Sequence, residues 1–281
     1  MNYIKLSNGL KIPQIGFGIH HYPEGTASVE IIENLLKNGV QLVETASSFF
    51  NEKSLGIGIK NSQQKLGIKR EEILISTKLH DDMQGYEYTK QAFKNSLEKL
   101  DVDYIDIFQI RHPLWNEDDW KTPLIDSWRA LEDLYEEGKI RAIGVSNFSI
   151  KYLEYLLGHA YIKPMMNQIE IHPRFQQKDI QEFCRENNIV VSSWASLNYG
   201  RVHYDDFIKE IAKKYNKTSV QLVLKWHIQQ NHLTMTRATQ ENHIVEDLNI
   251  FDFVISEDDM NLLDSLDGTG VPTWPSTGIN I

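Results

Sequence analysis

Ile73-Leu74-Ile75-Ser76-Thr77-Lys78, then residues 86–100, then Tyr104-Ile105-Asp106-Ile107-Phe108-Gln109-Ile110 form the stretch on which the fold turns. The two outer runs are short, apolar and rich in β-branched residues, as strands buried on both faces are. Between them apolar positions such as Phe93, Leu97 and Leu100 recur four and three apart, the period of an amphipathic helix. A strand, a helix and a second strand of this kind make parallel strands joined by a crossover.

The same alternation runs outward in both directions. Further strand candidates are Gln14–Gly18, Gln41–Thr45, Ala142–Ser146, Met165–Ile171, Val190–Trp194 and Leu233–Thr236, which brings the number to eight. Helical patterns over Ser28–Lys37, Leu124–Glu137, Gln177–Asn187 and Ser219–Gln229 separate them, with Gly39, Gly138 and Gly158 near helix ends. Eight such units fit a closed (β/α)₈ barrel, an α/β fold of the TIM type. An open dinucleotide-binding sheet fits less well, because Gly16-Phe17-Gly18 lacks a third glycine and does not lead into a helix. A hairpin turning at Ser7-Asn8-Gly9 precedes the first strand and is expected to close the barrel bottom over residues 3–13. No linker or repeat interrupts residues 1–281, so a single barrel domain is expected, with residues 268–281 as a C-terminal loop placed to act as a lid.

Composition narrows the function classes. With 41% hydrophobic and 24% charged residues, the 281-residue chain is neither disordered, collagen-like nor coiled coil. No apolar run approaches the roughly 20 residues needed to span a bilayer, and Met-Asn-Tyr-Ile-Lys-Leu is no signal peptide, so a cytoplasmic protein without membrane contact is expected. A net charge of −10 disfavours nucleic acid, so any anion must be met by local cations. Cys184, the one cysteine, leaves no internal disulfide and reads as a buried filler.

In a barrel of this type chemistry sits at the C-terminal ends of the strands. Those ends carry His20, His21, Glu44, Phe49, Lys78, His80, Arg111, His112, Asn147, Gln168, Glu170, Trp194 and Arg237. Lys78 follows an apolar run and points inward, where an unpaired ammonium would be costly, so Glu44 on the neighbouring strand is its expected partner.

Several long segments now carry a resemblance. Asn8-Gly9-Leu10-Lys11-Ile12-Pro13-Gln14-Ile15-Gly16-Phe17-Gly18, Ser76-Thr77-Lys78-Leu79, Gly138-Lys139-Ile140-Arg141-Ala142-Ile143-Gly144-Val145-Ser146-Asn147-Phe148 and Asn167-Gln168-Ile169-Glu170-Ile171-His172-Pro173 resemble the aldo-keto reductases over nearly the whole chain. The resemblance implies NADPH-dependent reduction of aldehydes or ketones by an Asp, Tyr, Lys and His tetrad. This sequence departs from that pattern: Glu44 stands at the Asp, Phe49 at the Tyr and Arg111 at the His, and only Lys78 is kept.

Hydride addition to a carbonyl makes an alkoxide that needs a proton. A phenol beside an ammonium can supply it, whereas the phenyl ring of Phe49 cannot. Loss of a positioned general acid costs roughly 10²–10⁴ in rate. By resemblance, Ser146, Asn147 and Gln168 hold the nicotinamide amide, Trp194 stacks on its ring, and Arg237 meets the 2′-phosphate. Ala238 lacks a hydroxyl, His243 is mostly neutral, and Asp247 is expected to add negative charge near the adenine. NADPH binding is therefore expected to be weakened or lost. Glu170 and His172, in a fold motif, read as structural.

Three positions that the resemblance assigns to pocket-wall tryptophans are His20, His80 and His112. Imidazole suits proton transfer near pH 7. The expectation is a pocket refitted for non-redox acid–base chemistry, such as elimination, dehydration, isomerisation or cyclisation of a small anionic metabolite. Arg111 and Lys78 would hold the anion, and His112, beside Arg111, would be the leading proton-transfer group. A reductase that takes its proton from His112 or water is the first alternative, and a catalytically silent binding or regulatory protein the second. A metal held by the three histidines and Glu44 is disfavoured, because no ligand spacing motif exists and Arg111 and Lys78 oppose a cation. Trp115, Trp120 and Tyr199, on expected loops at this face, are candidate pocket walls.

Overall fold

The computed structural model describes residues 2–114 and 119–272. Two short antiparallel strands come first, β1 (Tyr3–Lys5) and β2 (Lys11–Pro13), paired through Ile4 and Ile12. Their turn places Gly9 at φ 91°, open to glycine and strained for other residues. Both isoleucines are buried, which seats the hairpin on the floor of the barrel.

Eight parallel strands follow: β3 (Ile15–Gly18), β4 (Leu42–Glu44), β5 (Leu74–Leu79), β6 (Ile105–Ile110), β7 (Ile140–Ser146), β8 (Met166–Glu170), β9 (Val190–Trp194) and β10 (Leu233–Thr236). They close in sequence order, with β10 returning to pair with β3. Around them lie α1 (Thr26–Lys37), α2 (Glu52–Leu66), α3 (Tyr86–Leu100), α4 (Lys121–Glu136), α5 (Ile150–Leu157), α6 (Lys178–Glu186), α7 (Asp206–Lys214), α8 (Ser219–Gln229), α9 (Glu241–Leu248) and α10 (Glu257–Asp264). The expected (β/α)₈ barrel and hairpin are both present. Every residue of β5 and β6 is buried, which is why these strands lack the polar alternation of a half-exposed sheet.

Side chains such as Phe17, Phe108, Ile75 and Ile143 fill the core. Each fully buried side chain of this size contributes about 1.5–3 kcal/mol relative to exposure. On the outside, α2 lies so close to the end of α3 that a Cβ on Gly56 would collide with the Leu100 carbonyl oxygen. At the floor, the fully buried Asp106 accepts from Arg70 Nη2 and Arg141 Nη1, each at 2.8 Å, and from the Ile75 amide at 3.0 Å. The opposite end, where the strands finish, carries the candidate site.

Candidate active site at the barrel mouth

The parallel register sets the deepest layer. Glu44 ends β4 and pairs with Ser76, while Lys78 on β5 pairs with Gln109 on β6, so these side chains meet inside the mouth. Lys78 Nζ lies 2.7 Å from Glu44 Oε1, with both side chains less than a tenth exposed. The expected ion pair is therefore present. Burial pushes the Lys78 ammonium below the usual lysine value, with Glu44 opposing that shift and Arg111 adding to it.

Glu44 also reaches across the barrel. Its Oε2 accepts from Gln168 Nε2 at 2.9 Å and from Ser76 Oγ at 3.2 Å, and Gln109 Nε2 donates to Ser76 Oγ at 3.1 Å. Gln168 Nε2 also donates to Ser192 Oγ at 3.3 Å. Sequence reasoning missed Ser76, Gln109 and Ser192, whose only signal is a polar residue inside an apolar run.

Phe49 follows β4 in a short turn, Ser47–Phe49, and its ring centroid lies 6.0 Å from Lys78 Nζ. His20 packs against that phenyl ring, with centroids 4.5 Å apart, and His21 lies 3.7 Å behind His20. His20 is half-buried, and its pKa is lowered to about 4, first by burial and then by His21, Arg111, Arg237 and Lys78. It is a neutral imidazole near pH 7, lying within the field of the cations that ring the mouth.

The other two candidate histidines are engaged differently. His112 Nε2 lies 2.5 Å from Asp81 Oδ2, and its Nδ1 faces the Pro113 carbonyl at 3.2 Å. Arg111 Nη1 lies 3.4 Å from the same Asp81 oxygen. Both ring nitrogens of His112 thus face oxygen acceptors of the chain itself. His80 accepts from the Asp82 amide at 3.3 Å and caps the turn Asp81–Met83. The three histidines therefore do not converge, and no group of three or more metal-ligating side chains forms among the described residues. Asp81 was missed by sequence reasoning, although it stands one residue beyond His80 at a strand end.

On the far rim Ser146, Asn147, Gln168 and Trp194 are brought together, as the resemblance requires. Their polar groups are already engaged. Ser146 Oγ donates to the Gln168 carbonyl at 2.8 Å, Asn147 Nδ2 donates to the Arg111 carbonyl at 3.1 Å, and Trp194 Nε1 donates to Asn147 Oδ1 at 2.8 Å. The donor hydrogens at this rim are spent within the chain, while Ser146 Oγ and Asn147 Oδ1 keep acceptor capacity for the N–H groups of a carboxamide.

The phosphate end fits better. The Arg237 guanidinium is exposed and lies over the Tyr22 ring, 5.1 Å from the centroid, which orients its fork. Tyr22 is fixed in turn by donation of its hydroxyl to the Ala238 carbonyl at 2.6 Å. Asp247 departs from expectation. It is buried, accepts from Thr236 Oγ1 at 2.8 Å, and burial raises its pKa to about 7, so near neutral pH much of the negative charge expected beside an adenine is absent.

Trp120 is buried against Tyr152 and Tyr155, Tyr199 is exposed, and Trp115 lies outside the described residues, as do residues 273–281 of the expected lid. Glu170 and His172 are buried together, 3.6 Å apart. A cavity of about 430 Å³ lies to one side of the mouth, between His172, Arg174, Leu197, Arg201, Ile208 and Val223. It shares no residue with the Lys78 layer.

The comparisons agree with this geometry. Residues 14–268 match the model of the aldo/keto reductase family. The chain is 41% identical over 263 residues to glyoxal reductase of Bacillus subtilis (strain 168), covering 94% of this chain and 92% of the relative. It is 35% identical to morphine 6-dehydrogenase of Pseudomonas putida, covering 97% and 93%. Among solved structures, an aldo/keto reductase from Brucella melitensis superposes with a TM-score of 0.88 at 35% identity, covering 95% of this chain and 99% of that one. A mutant of Gox0644 in complex with NADPH superposes with a TM-score of 0.90 at 31% identity, covering 100% and 99%. A barrel closed by β10 on β3, with a lysine–carboxylate pair at its mouth and a match running through almost every strand, places the chain in the aldo/keto reductase family.

Proposed function

We propose that this member of the family carries out non-redox acid–base chemistry on a small anionic carbonyl compound, with proton abstraction next to the carbonyl as the first step. The observation that carries the reading is the neutral His20 imidazole on the Phe49 ring, amid Lys78, Arg111 and Arg237. A base is present where the tyrosine acid is missing.

In this reading a His20 nitrogen accepts the proton from the carbon beside the carbonyl. The electron pair of that C–H bond moves onto the carbonyl oxygen, and the enolate oxygen faces the Lys78 ammonium. Lys78 supplies electrostatic stabilisation where negative charge develops, which is worth most in a site as dry as this one. Glu44 keeps Lys78 charged and aimed. In a substrate with a hydroxyl on the deprotonated carbon, the hydroxyl proton passes to the enolate oxygen and the imidazolium of His20 protonates the former carbonyl carbon as the C=O reforms at its neighbour, giving isomerisation; otherwise the carbonyl reforms as a group on the β-carbon departs with its electron pair and takes the imidazolium proton, giving elimination. Arg111 and Arg237 supply positive charge for a carboxylate or phosphate on the substrate.

A second reading is supported by the rim of Ser146, Asn147, Gln168 and Trp194 and by the NADPH-bound structural relative: carbonyl reduction in which water or His112 supplies the proton. When bound, NADPH would supply hydride. The depressed His20 holds little proton to give near pH 7, so His20 does not serve that reading as the acid. A catalytically silent binding protein is the third. Loss of substrate C–H signal in D₂O, with and without NADPH, separates them: exchange without cofactor supports the proposal, NADPH oxidation without exchange supports the second reading, and neither supports the third.

A further inference from the structure

We infer that Glu44 is a tether that closes the donor side of the nicotinamide carboxamide site by holding the Gln168 side-chain nitrogen across the barrel. The inference rests on the reading that this mouth works without hydride, and it explains how one extra methylene makes it so. A glutamine amide nitrogen has two hydrogens to donate. In Gln168 one goes to Glu44 Oε2 at 2.9 Å and the other to Ser192 Oγ at 3.3 Å. Gln168 itself is 1% exposed.

Glu44 serves two partners at once: Oε1 is held by Lys78 at 2.7 Å, while Oε2 bridges to Gln168 and Ser76. The glutamate spans β4 to β8, strands that are not neighbours in the barrel. An aspartate on the same Cα is shorter by one C–C bond, roughly 1.5 Å. With its carboxylate drawn to Lys78, it would leave Gln168 beyond hydrogen-bond reach. The hydrogen bond that Glu44 makes to Gln168 involves a charged acceptor and is among the stronger kinds. A ligand carbonyl oxygen must break it to recruit the Gln168 side-chain nitrogen. Ser146 does not compensate, since its hydroxyl proton is directed at the Gln168 main-chain carbonyl.

The test is equilibrium titration with NADPH, read by nicotinamide fluorescence, on wild type, Glu44→Asp, and Glu44→Asp combined with Gln168→Leu. The tether predicts that Glu44→Asp binds NADPH about tenfold to a hundredfold more tightly than wild type, the factor expected for release of a hydrogen bond to a charged group. The double variant should fall back toward wild type, because the freed amide is gone. Equal affinity in wild type and Glu44→Asp overturns the tether, and so does a gain that survives in the double variant, since Glu44 would then act through charge alone. Circular dichroism checks folding, and Glu44→Asn set against Glu44→Gln, which differ by one methylene at equal charge, provides the length comparison if Glu44→Asp does not fold. None of these outcomes depends on cofactor-free proton exchange, so failure of the tether and failure of the acid–base reading are separately visible.

Discussion

The floor and the mouth of this barrel each bury a carboxylate among cations, and they do so to different ends. At the floor, Asp106 meets two arginines and one backbone amide, and its carboxylate faces three fixed donors. At the mouth, Lys78, Arg111 and Arg237 stand against Glu44 and Asp81, and their combined field falls on the neutral His20. Each set carries one more cation than carboxylate, but at the floor both guanidinium groups are fixed on Asp106. At the mouth Arg237 stands exposed over the Tyr22 ring, where the negative charge of a ligand can reach it.

That contrast is sharpest in mutants. Asp106→Ala removes the common partner of two cations, and breaking a buried pair from one side costs about 3–5 kcal/mol. Chemical denaturation should show that loss, with substrate binding unchanged at temperatures where the variant is folded. His20→Asn should do the reverse, lowering the rate of substrate proton exchange by about 10²-fold while the denaturation midpoint stays near wild type. A His20→Asn variant that exchanges protons normally would remove the base from the proposed mechanism.

A third prediction concerns acid. His232 is buried beside His227, with Nδ1 atoms 3.1 Å apart, and burial lowers the His232 pKa to about 3 and holds His227 well below its ordinary value. Both pKa values are depressed on folding, so the unfolded chain binds more protons once the pH falls below about 6.5. The His232 contribution should be constant above that value and fall below it, by about 2 kcal/mol at pH 5, while Asp247, with its pKa raised to about 7, contributes in the opposite direction as the pH falls. The difference in thermal unfolding between wild type and His232→Gln, followed from pH 8 to pH 5, isolates the His232 contribution, and wild type should lose stability relative to the variant as the pH falls. The smallest effect belongs to the rim, where Asp81 is partly hydrated: Asp81→Asn should cost about 1 kcal/mol or less in a urea titration.

The fold was legible because burial leaves a local trace. The observed strands start and end within about two residues of the apolar runs, and α3 and α8 match their periodic stretches end to end. The list of mouth residues was legible for the same reason, since strand ends fix positions. Pairings across the barrel were not. Nothing in the spacing of Glu44 and Gln168, 124 residues apart, announces their contact. His112 attracted attention because it adjoins Arg111 in sequence, yet Asp81, on the preceding β–α connection, engages both. His20 gained its depressed pKa from burial, from its sequence neighbour His21 and from Arg111, Arg237 and Lys78 elsewhere at the mouth, and of these only the His21 contribution has a local trace.

The central claim is that proton transfer at His20 and Lys78 proceeds without hydride. Its most direct measurement is proton NMR in D₂O of a set of small 2-oxo acids and phosphorylated hydroxyketones, incubated with the wild-type protein in the absence of any nicotinamide. The account predicts catalysed loss of the C–H signal beside the carbonyl for at least one of them, abolished by Lys78→Met and lowered about 10²-fold by His20→Asn. Oxidation of added NADPH by the same compounds, with no exchange in its absence, would contradict it.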